Sequence, residues 1–245
     1  MKTLFLITAR GGSKGVPGKN LRQIGGISLV GYKALSARKS RHCTRLIIST
    51  DSAEIQADAR SYGVEVPFTR PAELASDTAK SGPVIAHAME WIEQEGRDRY
   101  EAVMLLEPSS PFARAADYDA AVELMVRHDA SAVVGVRPAD VGSTVIGPLD
   151  PAGRLTAIVD KLHAARAVAG QRQTLGAEYT MNGALYLFRW DYFKEHQWIY
   201  HDRERVFGYA MDAYHSVEID EPVHLAWAEF LLERGYISTA DWRND

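Results

Sequence analysis

A loop near the start of the chain combines glycines and cations in a way that favours phosphate binding. It runs from Ala9 to Asn20 as ARGGSKGVPGKN, directly after the apolar run Leu4–Ala9. Its glycines let backbone N–H groups approach an anion, and Arg10, Lys14 and Lys19 add positive charge. At the carboxyl end of a first parallel strand, this combination suits a triphosphate. A solvated turn is the simpler alternative, so the loop alone indicates only an anion site.

Two common phosphate-binding loops do not fit this segment. A Walker A loop has four residues between Gly and Gly-Lys, followed by Ser or Thr. Here five residues separate Gly12 from Gly18, and Lys19 is followed by Asn20. The dinucleotide fingerprint fails as well, because the loop lacks the G-x-G start and Asp51 lies too far downstream. The spacing therefore leaves the nucleotide unidentified.

Two acidic residues near the end of the chain could bind a metal. Glu218 and Asp220 are two apart in Val217-Glu218-Ile219-Asp220, which we expect to be a strand. Alternate residues of a strand share one face, and paired carboxylates suit Mg²⁺, which prefers oxygen ligands. On spacing alone, a solvated acidic edge is the simpler reading.

The overall composition excludes several classes of protein. The 245 residues carry a formal net charge of −4, which gives no reason to expect nucleic-acid or membrane-surface binding. Cys43 is the only cysteine, so an internal disulfide and a cysteine metal cluster are excluded. We expect a cytoplasmic protein, because the start does not read as a signal peptide and no apolar run approaches a membrane span of about 18 residues. No G-x-S-x-G nucleophile elbow occurs, so His87 and His215 do not suggest a hydrolase.

The pattern of apolar runs predicts an α/β fold. Strands are expected at 4–9, 45–50, 63–66, 102–106, 130–136, 184–188 and 217–220, and helices at 27–36, 52–61, 81–95, 117–127 and 222–234. This alternation predicts a doubly wound, mostly parallel sheet with helices on both faces. Residues 137–181 break the rhythm, with one β-like run at 155–159. We interpret them as an excursion inserted into a domain formed by residues 1–136 and 182–245.

Six motifs in order give the chain a family resemblance. They are ARGGSKGVPGKN, STDSAEI, VPFTRPAELASDTAKS, LLEPSSPFAR, NGALYLF and HSVEID. The set spans nearly the whole chain and resembles the CMP-sialic acid synthetases (acylneuraminate cytidylyltransferases) and their bacterial relatives acting on other nonulosonic acids. The resemblance implies a nucleotide-diphospho-sugar transferase fold, Mg²⁺ as cofactor, and a homodimer formed through the excursion. CTP and a nonulosonic sugar acid would be the substrates.

The resemblance also assigns roles to residues of the nucleotide site. Arg10, Lys19 and Asp220 would be catalytic, with Lys19 neutralising the α-phosphate and the leaving pyrophosphate. The other expected nucleotide contacts are Ala9, Gly11, Gly12, Ser13, Asn20, Arg70, Ala79 and Ser81. From the residues alone, Arg70 could instead be a surface arginine, Ser81 a helix N-cap and Asp77 a turn residue.

The metal and sugar positions depart from the family pattern. The family has Asp-x-Asp where this chain has Glu218 and Asp220, so Asp220 is the principal expected ligand. Many members carry Gln where this chain has Glu107, beside the sugar. A carboxylate there would repel a sugar acid unless it is paired or protonated, which predicts an acceptor other than plain N-acetylneuraminate.

Two further positions are expected at the sugar. Arg172 is the candidate for gripping the sugar carboxylate, with Arg166 as the alternative, and Asn182 begins the NGALYLF motif. The expected reaction transfers CMP from CTP to the anomeric hydroxyl of the sugar acid and releases pyrophosphate. A cytidylyltransferase for the eight-carbon acid Kdo and a nucleotide-binding regulator without activity are the alternatives.

Overall fold

The computed structural model describes residues 1–168 and 177–243. Within these ranges the strands are β1 Thr3–Thr8, β2 Gln23–Ile24, β3 Ile27–Ser28, β4 Cys43–Ser49, β5 Ala102–Leu106, β6 Ala132–Pro138, β7 Tyr179–Arg189 and β8 Val206–Ala210. The helices are α1 Leu29–Lys39, α2 Ala53–Ser61, α3 Ser81–Glu95, α4 Ala115–His128, α5 Thr156–Val168, α6 Trp190–His196 and α7 Pro222–Glu233.

The main sheet has the strand order β4-β1-β5-β7-β6-β8. β1 pairs in parallel with both β4 and β5, and β6 pairs in parallel with β8, whereas β5 and β7 are antiparallel. The predicted α/β fold with a doubly wound, mostly parallel sheet is therefore confirmed.

Alternation along β1 explains why helices cover both faces of the sheet. Phe5 and Ile7 pack with α1, α2 and α4 in one apolar cluster, while Leu4 and Leu6 pack with α3 and α6 in another. Successive side chains of a strand point to opposite faces, so one apolar run can serve both clusters. All four side chains are fully buried, as expected for a central strand of a parallel sheet.

A third apolar cluster attaches the end of the chain to the first helix. Tyr32 of α1 packs edge-on against Trp242 with a ring-centroid distance of 5.0 Å, and both are fully buried. Val217 and Ile219 belong to the same cluster as Leu231 of α7. Their burial places the segment that carries Asp220 beside the loop that follows β1.

Several expected elements differ from the structure. Residues 217–220 are not a strand but a loop before α7, in which Ile219 N–H donates to Ser109 O at 2.6 Å. Residues 63–66 form a single bridge, between Glu65 and Ile47. The β-like run at 155–159 falls at the start of helix α5, because apolar residues in so short a run fit either period. Strand β8 and helix α6 were not predicted.

Contacts within the chain define two compact units, residues 1–136 with 181–245 and residues 137–180. In the second unit, Glu178 accepts hydrogen bonds from the backbone N–H and the hydroxyl of Ser143. Lys161 of α5 donates to Ile146 O at 2.8 Å. The roles expected of the excursion 137–181 in dimerisation and sugar contact stay predictions. Across the described residues, no helix is long and apolar enough to cross a membrane.

Candidate active site

A cleft of about 430 Å³ opens in the first unit at the carboxyl ends of β1 and β5. This is the edge at which open α/β sheets bind their ligands. The loop after β1 lines it with Arg10, Ser13, Lys14, Gly15, Lys19 and Asn20. Its other walls come from Arg70, Leu74, Ser76, Asp77, Ala79, Ser81, Val84, Ile85, Leu105, Glu107, Pro108, Ser109 and Asp220, with Thr8 at the base.

Hydrogen bonds from behind hold the loop in place. Ala9 N–H donates to Ser49 O at 3.1 Å, and Gly11 N–H donates to Asp51 Oδ1 at 2.9 Å. The Asn20 amide, which is 6% exposed, donates to Arg10 O at 2.9 Å. These contacts preorganise the loop before any ligand enters. The Gly11 N–H is therefore already hydrogen-bonded within the protein. Gly11 and Gly12, both expected to contact the nucleotide, do not line the cleft.

Gly15 is required by a close approach of two backbones. A Cβ added at this position would lie 2.2 Å from the carbonyl oxygen of Asp220, well inside van der Waals contact. Only glycine therefore lets the loop rest against the acidic segment. The approach brings the basic loop and Asp220 into one site.

Lys19 joins the same two segments through its side chain. Its Nζ donates to Ile219 O at 2.8 Å and lies 3.2 Å from Asp220 Oδ1. The first turn of α7 holds Asp220 in place, because His224 Nδ1 accepts from Asp220 N–H at 3.1 Å. Two residues some 200 positions apart in sequence thus meet in the lining of the cleft.

Arg10 and Lys14 share one carboxylate across the mouth of the cleft. Asp77 Oδ1 lies 2.7 Å from Arg10 Nη1, and Asp77 Oδ2 lies 2.7 Å from Lys14 Nζ. Lys14, and then Arg10, hold the pKa of Asp77 below its usual range. Asp77 is a turn residue, as expected. It also forms ion pairs with two cations of the loop, and these were not predicted from the sequence.

Arg70 is not a surface arginine. It is 6% exposed, and its guanidinium donates to Ser49 O at 2.5 Å and to Ser49 Oγ at 3.0 Å. Burial lowers its pKa to about 10. The N-cap reading of Ser81 is also wrong, because Lys80 is the N-cap of α3 and Ser81 is its first residue. Both side chains line the cleft with Ala79.

A second, more apolar cavity of about 240 Å³ adjoins the cleft. The two share Ser81, Ile85, Leu105 and Glu107 as a common wall. We call it the aromatic cavity because of its remaining main residues, Tyr186, Phe188, Phe193, Trp198 and Tyr200. Sequence reasoning missed it, although strand alternation sets Tyr186 apart from its buried neighbours Leu185 and Leu187.

Glu107 lies in the common wall with an unusual electrostatic environment. Burial raises its pKa and the nearby Glu218 raises it further, while Lys33 and then Lys19 lower it. Glu218 itself lies outside the lining of the cleft, with its carboxylate close to Gly183. Of the two acidic residues expected to bind a metal, Asp220 lines the cleft and Glu218 does not.

Other expected site residues are placed elsewhere. Asn182 is 1% exposed, and its amide donates to Ser216 Oγ at 2.9 Å and accepts from Ala184 N–H. The Ala9 side chain belongs to the core. Arg166 is exposed on α5 in the second unit, and Arg172 lies outside the described residues.

His215, His87 and Cys43, the other residues considered for nucleophilic catalysis, have contacts that indicate structural roles. The ring Nδ1 of His215 lies 2.8 Å from Asp212 Oδ2, and the ring of His87 packs against Phe68. Burial raises the pKa of the Cys43 thiol to about 12, which makes it a poor nucleophile. None of the three lines the cleft.

Comparison with known proteins shows which proteins the chain is similar to. A family model described as cytidylyltransferase matches residues 4–128. Over 242 residues and 98% of both chains, the protein is 31% identical to a CMP-N,N'-diacetyllegionaminic acid synthase of Campylobacter jejuni. It is 29% identical, with the same coverage, to post-translational flagellin modification protein B of Campylobacter coli. A solved CMP:2-keto-3-deoxy-manno-octonic acid synthetase complexed with CTP has a TM-score of 0.69 at 14% identity, covering 96% of this chain and 100% of that one. The last likeness shows the fold alone.

Proposed function

Because the chain belongs to the cytidylyltransferase family, and within it to the nonulosonic acid cytidylyltransferases, we propose that it transfers CMP from CTP to a nine-carbon sugar acid. The anomeric hydroxyl oxygen of the acid forms a bond to the α-phosphorus of CTP. The bond from that phosphorus to the bridging oxygen breaks, pyrophosphate leaves, and the hydroxyl proton passes to solvent.

The observation that carries this proposal is the meeting of Lys19 with Asp220 in the lining of one cleft. Lys19 Nζ lies 3.2 Å from Asp220 Oδ1, with Arg10 and Lys14 lining the same cavity. Phosphoryl transfer depends on positioning and charge neutralisation more than on covalent chemistry. Lys19 and Arg10 are proposed to neutralise the phosphates, while Arg70, Ala79 and Ser81 surround the nucleoside.

Mg²⁺ is the proposed cofactor, with Asp220 as its principal protein ligand and Glu218 as the second. The donor chemistry fits, since Asp220 brings a carboxylate to the cleft beside the basic loop. The described residues contain no group of three or more His, Cys, Asp or Glu side chains able to hold a metal alone. Mg²⁺ is usually coordinated by one or two protein carboxylates together with substrate phosphates and water. When bound, the ion would neutralise charge on the triphosphate.

An acylamino nonulosonic acid is the proposed acceptor. The synthase from Campylobacter jejuni is named for N,N'-diacetyllegionaminic acid. The aromatic cavity beside Glu107 provides apolar surface for acyl methyl groups next to a hydrogen-bond acceptor. Both features favour such an acid over a sugar with hydroxyl groups only.

Pyrophosphate release tests the proposal. The purified protein is incubated with CTP, Mg²⁺ and one acceptor at a time from a panel of N,N'-diacetyllegionaminic acid, N-acetylneuraminate and Kdo. We expect release with a nonulosonic acid and little with Kdo. Preference for Kdo would support the eight-carbon alternative, and no release with any acceptor would support a non-catalytic regulator.

A homodimer and a cytoplasmic location are also proposed. The unit of residues 137–180 exposes many apolar side chains, including Val141, Val145, Ile146, Leu149 and Leu155, all at least 46% exposed. Many large apolar side chains exposed in one unit support a protein–protein contact there. Light scattering should give about twice the monomer mass of 27.2 kDa, and a monomer would contradict the proposal. The cytoplasm is where CTP is available to such an enzyme.

A further inference from the structure

Lys33 is a fully buried lysine in a region of the core that is otherwise mostly apolar. It lies on α1 with 0% exposure, and its Nζ donates a hydrogen bond to Ala184 O at 2.8 Å. The ring centroid of Tyr118 is 5.9 Å from the same nitrogen. A buried ammonium is costly unless a nearby negative charge compensates it. We therefore expect a negatively charged group near Lys33.

The sheet register places that partner. β5 and β7 are antiparallel with Leu105 opposite Tyr186. Glu107, just beyond the end of β5, and Ala184 of β7 each lie two residues from this pair in the same direction. Lys33, bonded to the Ala184 carbonyl, therefore reaches the end of the sheet at which Glu107 leaves β5. Of the charged groups that act on Lys33, Glu107 has the largest effect and Asp117 follows.

The two groups depend on each other for their charge. Burial lowers the pKa of Lys33 to about 7, and Glu107 opposes that fall. Burial also raises the pKa of Glu107, and Lys33 opposes that rise more strongly than Lys19 does. Replacing either group by a neutral one should therefore push the other toward its neutral form.

Glu107 stands where an acceptor sugar would meet both cavities. It lines the cleft and the aromatic cavity at their common wall. An ionised carboxylate accepts hydrogen bonds and donates none. A bound sugar must therefore present an N–H or O–H group at this point rather than another carboxylate.

We propose that Lys33 is a positioning residue that keeps Glu107 an anionic hydrogen-bond acceptor, so that the pair selects sugar acids carrying an acylamino N–H or hydroxyl at that point. This rests on the proposed function and adds the determinant of acceptor choice. Lys33 touches no substrate and acts through Glu107. It contributes nothing to the binding of CTP.

The test measures, below pH 7 where Lys33 is mostly charged, the KM for acceptor and for CTP in a double-mutant cycle of Lys33→Met, Glu107→Gln and the two combined. N,N'-diacetyllegionaminic acid is the acceptor, and N-acetylneuraminate serves as a second probe. We expect Lys33→Met to raise the acceptor KM by at least about tenfold and to change the CTP KM by less than about twofold. In the Glu107→Gln background, the same substitution should change the acceptor KM by less than about twofold, because Lys33 no longer has a charge to compensate.

Two further variants separate charge from structure. Lys33→Gln keeps a donor for Ala184 O without the charge, and it should behave as Lys33→Met does. Lys39→Met is the control, since Lys39 lies on the same helix and its Nζ also donates to carbonyl oxygens, those of Asp241 and Arg243, but far from the cleft. It should match the wild type.

Several outcomes would overturn the inference. They are an equal effect of the Lys33 substitution in both backgrounds, wild-type behaviour of Lys33→Gln, or an unchanged acceptor KM in Glu107→Gln. If Lys33→Met does not fold, the cycle is completed with Lys33→Gln, and the Glu107→Gln result stands by itself. A wild-type protein that releases no pyrophosphate with any sugar acid defeats the proposed function, whereas an active wild type with uncoupled variants defeats this inference alone.

Discussion

Asp77 and Arg10 form an ion pair across the mouth of the cleft, with Oδ1 2.7 Å from Nη1. The other carboxylate oxygen of Asp77 forms an ion pair with Lys14. An acidic side chain thus holds two cations of the phosphate-binding loop, and a triphosphate entering the cleft must compete with it.

Neutralising Asp77 should therefore help CTP to bind. We expect Asp77→Asn to lower the KM for CTP by about two- to fivefold, the range that fits the loss of exposed ion pairs. The gain should shrink at high salt because solvent ions screen these contacts. Steady-state kinetics at two ionic strengths measures it, with Glu73→Gln as an acidic control in the same segment. A raised CTP KM would show that Asp77 assists the nucleotide instead.

Removing Lys19 should abolish turnover while leaving the fold intact. We expect Lys19→Ala to lower kcat by at least about 100-fold, as loss of a group aimed at developing charge usually does. Its hydrogen bond to Ile219 O contributes little to stability, so the melting temperature should fall by no more than about 4 °C. Arg22→Ala is the control, because Arg22 is a nearby exposed cation outside the cleft. Near-normal turnover in Lys19→Ala would contradict the proposed role.

A methyl group at Gly15 should force the loop away from the acidic segment. Its Cβ would meet Asp220 O at 2.2 Å, whereas a Cβ at Gly12 would meet nothing within 4 Å. We expect Gly15→Ala to lose about 1–3 kcal/mol of unfolding free energy and most of the activity, since overpacking shifts the backbone. Gly12→Ala should lose less than about 0.5 kcal/mol. Urea unfolding compares the two, and equal stability would show that the approach can relax without cost.

Metal dependence should centre on Asp220. Chelation with EDTA is expected to abolish pyrophosphate release, and added Mg²⁺ should restore it. In Asp220→Asn the Mg²⁺ concentration for half-maximal activity should rise by about tenfold or more, because the amide is a weaker ligand than the carboxylate. Glu229→Gln on α7 is the control. An unchanged Mg²⁺ requirement in Asp220→Asn would place the ligand elsewhere.

Stability should depend on pH through Lys33. Its pKa falls from about 10.5 in the unfolded chain to about 7 in the fold. Between these values the unfolded chain binds more protons, so the free energy of unfolding rises with pH. Lys33 alone should add about 2 kcal/mol between pH 7 and pH 9.

Comparison with Lys33→Met isolates that contribution. The stability of the variant relative to the wild type should fall by the same amount over this range, measured by urea unfolding at pH 7, 8 and 9. Lys39→Met should follow the wild type in parallel. A difference that stays constant with pH would mean that the pKa of Lys33 is not lowered by the fold.

The pattern of apolar residues predicts the bounds of an element well where that pattern lies within the element itself. The apolar runs at β1, β4 and β5 and the periodic helix α3 were predicted close to their observed bounds. Residues 217–220, expected as a strand, form a loop, because Val217 and Ile219 are buried in the cluster of Tyr32 and Trp242 rather than by pairing in the sheet. Short apolar segments such as 155–159 carry too few residues to separate the two periods.

The class of fold, the anion-binding loop and the resemblance to nonulosonic acid cytidylyltransferases follow from the sequence, because they depend on residue type and order along the chain. Which side chains meet depends on the tertiary structure. The fold pairs Lys19 with Asp220, places Asp77 on Arg10 and Lys14, buries Arg70 and Asn182, and brings Lys33 to the carbonyl of Ala184. These relationships join residues tens to hundreds of positions apart, and the packing of helices against a twisted sheet brings them together, which periodicity along the chain does not encode.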